Sequence, residues 1–152
     1  PYDHTDTLSA SLLTPTKIYI RSCLAAVKTG HVHALSHITG GGLTENLPRV
    51  IPNNVAVVID LSTWVAPPVF GWLSDVGHIA PEEMLRTFNC GIGMVVIVPE
   101  DQASAISELL TQHGENVTTI GHVASRSGDQ PIVQYANMDS DWLQYLTQAD
   151  AS

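Results

Sequence analysis

Three consecutive glycines, Gly40, Gly41 and Gly42, separate two different sequence patterns in the first third of the chain. In residues 33–39, which precede the glycines, apolar and polar side chains alternate enough to predict a short strand. The pattern after them predicts a short helix, interrupted at Pro48 because proline cannot donate a backbone hydrogen bond. Glycine reaches positive φ and lets a ligand approach the main chain closely, and successive N–H groups at a helix start form an anion-binding concavity. The pattern therefore predicts a turn that binds a phosphate-bearing ligand.

Polar side chains around this turn are candidates to complete the site. Thr39 could add a hydroxyl donor, Asn46 an amide and Arg49 a positive charge. His37, just before the turn, is a candidate hydrogen-bond donor or proton carrier beside the phosphate, because imidazole titrates near neutral pH. Two alternatives stay open: the glycines form an irregular turn without a ligand, and His37 has a structural role. The spacing matches neither the dinucleotide-binding nor the Walker pattern.

The rest of the chain alternates between helical and extended patterns. Apolar periodicity with proline and glycine boundaries predicts helices at residues 14–30, 67–76, 101–113 and 139–149, the last of them exposed, and another helix that begins at residues 80–83. β-branched and apolar runs predict strands at residues 55–61, 91–98, 117–123 and 131–135. This order predicts an α+β fold with one mixed β-sheet covered by helices. The connection at residues 125–130 is short enough for a hairpin between the last two strands.

Composition and charge restrict the class of partner. The 152 residues fit one domain, and 44% hydrophobic against 14% charged residues indicates a globular chain. Fifteen acidic against six basic residues give a net charge of −9, which disfavours nucleic acid and anionic membrane surfaces. Apolar runs such as residues 94–98 are too short to span a bilayer, and no secretory signal is recognised. Two isolated cysteines, Cys23 and Cys90, favour a reducing cytoplasm.

The start of the chain suggests an excerpt of a longer protein. It begins at Pro1 without a methionine, and its first eleven residues have no strong periodicity. A processed but complete chain is the alternative. The mean hydropathy of +0.11 leaves open whether a partner covers some apolar surface.

Three histidines near the glycine turn raise the question of a metal site. His31, His33 and His37 could share one face of a strand, but the same spacing fits a turn leading into a strand. No Cys, Asp or Glu at ligand spacing supports them, so no metal ligands are predicted.

A second glycine-containing segment leads into the strand predicted at residues 91–98. Cys90 would need a nearby base to act as a nucleophile, and the sequence reveals none. The favoured interpretation is that Gly91 and Gly93 allow close packing of the backbone against a ligand or a neighbouring chain. Trp64 and Trp72 are interpreted as anchors of the core or of an interface.

Several of these segments together resemble a known family. Residues 33–42 (HALSHITGGG) and 45–52 (ENLPRVIP) are closely similar to the C-terminal domain of phosphoribosylformylglycinamidine cyclo-ligase, or AIR synthetase. Residues 13–19 (LTPTKIY) and 86–94 (RTFNCGIGM) continue the resemblance. The similarity extends over residues 13–133 in the correct order. It divides the chain into a leading segment 1–12, a domain 13–136 and a partly helical tail 137–152.

The resemblance implies an ATP-dependent ligase of de novo purine biosynthesis. Formylglycinamidine ribonucleotide is converted to aminoimidazole ribonucleotide, with release of ADP and phosphate. The resemblance also implies an α+β domain with a mixed sheet, here without its first strand, whose unpaired edge would favour self-association. ATP and magnesium would be held by a missing N-terminal domain, through which the full-length enzyme would form a homodimer. The chain alone would be inactive and would bind neither cofactor.

The site residues carried over from the family concern the ribonucleotide phosphate. The resemblance implies a binding role for Thr39, Gly40, Gly41, Gly42 and Asn46, and His37 is a candidate catalytic residue. Arg49 is added to the binding residues for its charge near the turn. One alternative is a non-enzymatic module that binds a phosphate ligand or acts as a scaffold. Another is a domain of a related enzyme, such as formylglycinamide ribonucleotide amidotransferase, selenophosphate synthetase or thiamine-monophosphate kinase.

Overall fold

The computed structural model describes residues 7–143. Within this part of the chain the α-helices are α1 (Leu8–Leu12), α2 (Ile20–Lys28), α3 (Gly42–Asn46), α4 (Pro68–Gly77), α5 (Pro81–Thr87) and α6 (Ala103–Gln112). The strands are β1 (Ala34–His37), β2 (Val55–Asp60), β3 (Met94–Ile97), β4 (Gly121–Ser125) and β5 (Val133–Ala136). Short 3-10 helices occur at Leu47–Arg49, Leu61–Thr63, Glu100–Gln102 and Asp141–Leu143. No helix in residues 7–143 combines the length and hydrophobicity that crossing a membrane requires.

The strands form two sheets. In the three-stranded sheet β2 lies between β4, which is antiparallel to it, and β5, which is parallel to it. The predicted α+β fold with a mixed sheet is therefore confirmed. However, β1 and β3 do not join this sheet; they pair with each other in antiparallel orientation, with Ala34 opposite Ile97 and His37 opposite Met94.

The predicted hairpin between the last two strands is wrong. β4 and β5 lie on opposite sides of β2, so the connection between them crosses one end of that strand. Arg126 holds the crossing in place: its backbone N–H donates to the Asn54 carbonyl at 3.0 Å and its guanidinium to the Asn53 carbonyl at 2.7 Å. Strand β2 is the most buried of the three, with Ile59 fully inaccessible, and its burial favours the central position.

Two apolar clusters lie on either side of the β1–β3 sheet. The main core is built from side chains of α3, β2, α5 and β5, and the second cluster from α2 and α6. Strand β3 contacts both clusters, since alternate residues of a strand point to opposite faces of the sheet. Val95 and Ile97 pack against the main core, while Val96 and the following Val98 pack against the second cluster. Each face of the β1–β3 sheet therefore packs against one of the two clusters.

Most helix boundaries follow the local signals in the sequence. α4 begins at the second residue of the Pro67-Pro68 pair and ends before His78, which is left-handed at φ 50°. α2 is different, because it begins at Ile20, later than the predicted start at residues 14–15. Tyr19 packs so closely against Gly93 that a Cβ there would overlap its hydroxyl. This packing fixes Tyr19 just outside the helix.

The segment after β5 corrects the expectation of an exposed final helix. The structure shows a 3-10 helix, Asp141–Leu143, and the remainder of the predicted helix lies outside the described residues. Trp142 is only 1% exposed and lies in the main core, with its ring centroid 6.2 Å from that of Trp64. The Ala66 N–H donates to the Trp142 carbonyl at 2.7 Å. The start of the tail is therefore part of the packed fold.

Candidate functional site

The glycine turn connects the end of β1 to α3, as the sequence predicts. Ile38, 2% exposed, anchors the start of the turn in the main core, and its N–H donates to the Gly93 carbonyl at 2.9 Å. The Gly42 N–H then donates to the Thr39 carbonyl at 3.0 Å, which closes the turn. The side chain of Thr39 is exposed. A buried anchor therefore holds an exposed loop against the body of the domain.

The three glycines have different structural roles. Gly41 has φ +98° and Gly42 has φ +54°, both in the left-handed region that L-residues rarely adopt. Gly42 is buried, and a Cβ there would overlap the carbonyl oxygens of Leu85 and Phe88. Gly40 has neither constraint: its φ is ordinary and a Cβ would meet nothing within 4 Å. Open space for a ligand is therefore found at Gly40.

Asn46 organises the turn from inside, which corrects its predicted role as a ligand donor. It is 4% exposed, and its amide nitrogen lies 2.8 Å from the Gly42 carbonyl, 3.2 Å from that of Gly40 and 3.3 Å from that of Thr39. In a trans peptide the carbonyl and the next N–H point in opposite directions. The N–H groups of Gly40, Gly41 and Leu43 therefore point away from Asn46. Gly40 is exposed and Gly41 is half-buried, whereas Leu43 is fully buried, so the N–H groups available to a ligand are those of Gly40 and Gly41.

An ion pair beside the turn was not anticipated from the sequence. The Arg86 Nε donates to Glu45 Oε1 at 3.1 Å, and the hydrogen bond raises the pKa of Arg86. The Glu45 side chain lies over Gly41, where a Cβ would approach its Cβ to 2.9 Å. A carboxylate and a guanidinium thus lie next to the backbone donors. The two residues are 41 positions apart, so only the packing of α3 against α5 reveals the pair.

His37 lines a groove beside the start of α2, on the face of the β1–β3 sheet that also carries Val96. This groove, called the Tyr19 groove here, has a volume of about 430 Å³, and its lining includes Ile18, Tyr19, Ile20, Leu35, His37 and Met94. The His37 and Tyr19 rings meet edge to face, with centroids 5.9 Å apart and planes at 67°. The exposed imidazole is therefore positioned by an aromatic neighbour, between the groove and the turn.

Arg49 ends the 3-10 helix Leu47–Arg49 that follows α3. Its side chain is exposed and forms no ion pair within residues 7–143. His31 and His33 precede β1 and are also exposed. Among the described residues, no group of three or more His, Cys, Asp or Glu side chains could hold a metal ion.

The segment around Cys90 has a packing role. Burial raises the pKa of the Cys90 thiol to about 12, which leaves almost no reactive thiolate at neutral pH. A Cβ at Gly91 would lie 2.5 Å from Pro67 Cδ, and one at Gly93 would overlap Tyr19. The close packing predicted for these glycines is present, but its partners are residues of this chain and not a ligand or a second molecule.

The fold and this site define an α+β domain in which a glycine turn presents backbone donors between a strand and a short helix. A family model described as "AIR synthase related protein, C-terminal domain" matches residues 2–134. The chain belongs to this family, whose members are generally ATP-using enzymes. The match confirms the assignment, made from the sequence, to the family of AIR synthase related proteins.

Proposed function

We propose that this chain is the ribonucleotide-binding part of an ATP-dependent cyclo-ligase of de novo purine biosynthesis. The enzyme would convert formylglycinamidine ribonucleotide to aminoimidazole ribonucleotide, releasing ADP and phosphate. The observation that carries the proposal is the turn in which the Asn46 amide faces the carbonyls of Thr39 and Gly40, so that the N–H groups of exposed Gly40 and half-buried Gly41 point away from it. Family membership and the resemblance of residues 33–52 to the cyclo-ligases support it.

The turn would hold the substrate phosphate through its backbone. Outward N–H groups at a helix start donate hydrogen bonds to phosphate oxygens, and the partial positive charge there favours an anion. The Thr39 hydroxyl and the Arg49 guanidinium are exposed donors on the same segment. His37 would donate a hydrogen bond or carry a proton beside the reacting end of the ribonucleotide.

ATP and magnesium would be held elsewhere in the enzyme. In the part of the chain that the structure describes, no group of three or more His, Cys, Asp or Glu side chains could hold a metal ion. The contribution proposed for this chain is to bind and orient the ribonucleotide. An ATP-handling domain is the proposed partner.

The test of this function is a size series at Gly40. A side chain there enters open space, so stability should change by no more than about 0.5 kcal/mol, as at ordinary surface positions. Gly40→Val should weaken binding of formylglycinamidine ribonucleotide at least about tenfold, or roughly 1.4 kcal/mol, and Gly40→Ala should weaken it less. Calorimetric titration measures the affinity, and thermal unfolding provides the control for folding.

Two results would contradict this proposal in different ways. Normal binding by Gly40→Val would show that the turn is not the phosphate site. Equally tight binding of ribose 5-phosphate and of the complete ribonucleotide would support the phosphate site but remove the argument for this particular substrate.

The Glu45–Arg86 pair should tune the affinity for phosphate in opposite directions. Glu45→Gln removes a negative charge next to Gly41 and should strengthen phosphate binding, whereas Arg86→Gln should weaken it. Both groups are largely exposed, so each effect should stay below about fivefold and decrease with salt. Titration of inorganic phosphate at low and high salt measures both variants. Effects of the same sign would indicate that the pair acts by holding the turn and not by its charge.

A further inference from the structure

One face of α2 exposes an unusual number of apolar side chains. The opposite face is buried through Ser22, Cys23 and Ala26. The outward residues Ile20, Leu24 and Val27 are 65%, 52% and 44% exposed. At roughly 100° per residue they lie within an arc of about 60°, so they form one continuous stripe along the helix.

The stripe continues into the Tyr19 groove. Ile20 belongs to both, and Ile18, which lines the groove just before the helix, is 79% exposed. The lining of the groove includes Leu35 and Met94 of the β1–β3 sheet. An apolar groove beside an apolar ridge is suited to a partner that inserts a side chain.

Charge is separated strongly along the chain. Residues 7–44 contain no Asp or Glu but include three of the six Lys and Arg residues, whereas residues 45–152 contain thirteen of the fifteen acids. Lys17 is neutralised by Glu115, 2.6 Å away. Arg21 and Lys28 form no ion pair among residues 7–143. Both lie on α2, about 40–60° beyond Leu24 on the exposed side.

We infer that the α2 stripe and the Tyr19 groove form a docking site for an acidic protein segment that carries apolar side chains. Its apolar residues would cover Ile20, Leu24 and Val27, and its carboxylates would pair with Arg21 and Lys28. A second copy docked about a two-fold axis would instead bring these cations against their own copies, which costs energy. The inference goes beyond the proposed ribonucleotide site, which adjoins this surface because His37 also lines the Tyr19 groove.

The test uses a labelled helical peptide of about fourteen residues, roughly 21 Å long, with leucines at every third or fourth position and glutamates elsewhere. Fluorescence anisotropy should show binding that weakens as salt rises from about 0.05 M to about 0.5 M. Leu24→Glu and Ile18→Glu should each weaken it about tenfold or more, because both place a carboxylate in the apolar contact. Replacing Arg21 and Lys28 together by glutamine should remove most of the salt dependence.

Val76→Glu is the matched control, since Val76 is 62% exposed on α4, outside the proposed surface. It should leave peptide binding unchanged, and circular dichroism should show that every variant folds. Absence of binding, equal binding of a peptide with lysine in place of glutamate, or an equal loss in Val76→Glu would overturn the docking site. Self-association in sedimentation, or binding to phosphatidylserine vesicles, that is abolished by Leu24→Glu would replace the acidic protein segment as the occupant.

Discussion

Gly42→Ala is expected to destabilise the domain by more than about 3 kcal/mol. Gly42 adopts φ +54°, which costs an L-residue roughly 1–2 kcal/mol. The added methyl group would also overlap the backbone carbonyls of Leu85 and Phe88, which cannot rotate away as a side chain would. Forcing apart packed backbone adds about 1–3 kcal/mol or more. Because a domain has only about 5–15 kcal/mol of stability, this loss should lower the urea concentration at the unfolding midpoint by a large fraction of its wild-type value.

Gly40→Ala is the matched control for this prediction, because it changes the same residue type two positions earlier at an unconstrained site. Its urea unfolding midpoint should remain close to that of the wild type. A Gly42→Ala protein as stable as Gly40→Ala would mean that α3 and α5 are not packed as closely as the structure shows.

Trp142→Ala should cost about 3–5 kcal/mol, the usual range for deleting a large buried aromatic side chain. Trp142 is 1% exposed, and its ring packs against Trp64 within the main core. It follows the last strand, in a part of the chain beyond the family match. Chemical denaturation followed by tryptophan fluorescence would measure the loss.

The matched variant is Trp142→Phe. The indole N–H is buried without a hydrogen-bond partner among the described residues, so removing it sacrifices no hydrogen bond. The phenyl ring retains most of the packing, and we expect a cost of about 1 kcal/mol from the smaller volume. If Trp142→Ala cost less than Trp142→Phe, the buried position of this segment would be wrong.

Local signals in the sequence were sufficient for much of the fold. The turn at Gly40–Gly42, the break at Pro48 and the helix started by Pro68 are all found. Glycine permits the positive φ of the turn, and proline fixes its own φ and removes a donor. The order of strands was not predictable in this way. It depends on pairing between residues far apart in the chain, since Val57 of β2 lies opposite Val123 of β4 and Val133 of β5.

In the candidate site, too, features set by neighbouring residues were predictable, whereas contacts between residues far apart in the sequence were not. The glycine pattern alone was enough to locate the turn. It could not distinguish exposed Gly40 from buried Gly42, because the carbonyls that enclose Gly42 belong to Leu85 and Phe88, at and just after the end of α5. Asn46 was assigned to the ligand, since a sequence does not reveal that its amide faces the carbonyls of its own turn. Arg86 was missed for a similar reason, being distant in sequence from Glu45.

The pairing of β1 with β3 has a consequence for how the site forms during folding. About sixty residues separate the two strands, so closing this sheet carries a large loop-closure entropy and depends on the elements between them. The glycine turn begins at the end of β1 and is anchored through Ile38 to Gly93. A short peptide that contains only the turn sequence would lack this anchor and the carbonyls of α5. The preorganised donors are therefore a property of the completed native state and not of the local sequence.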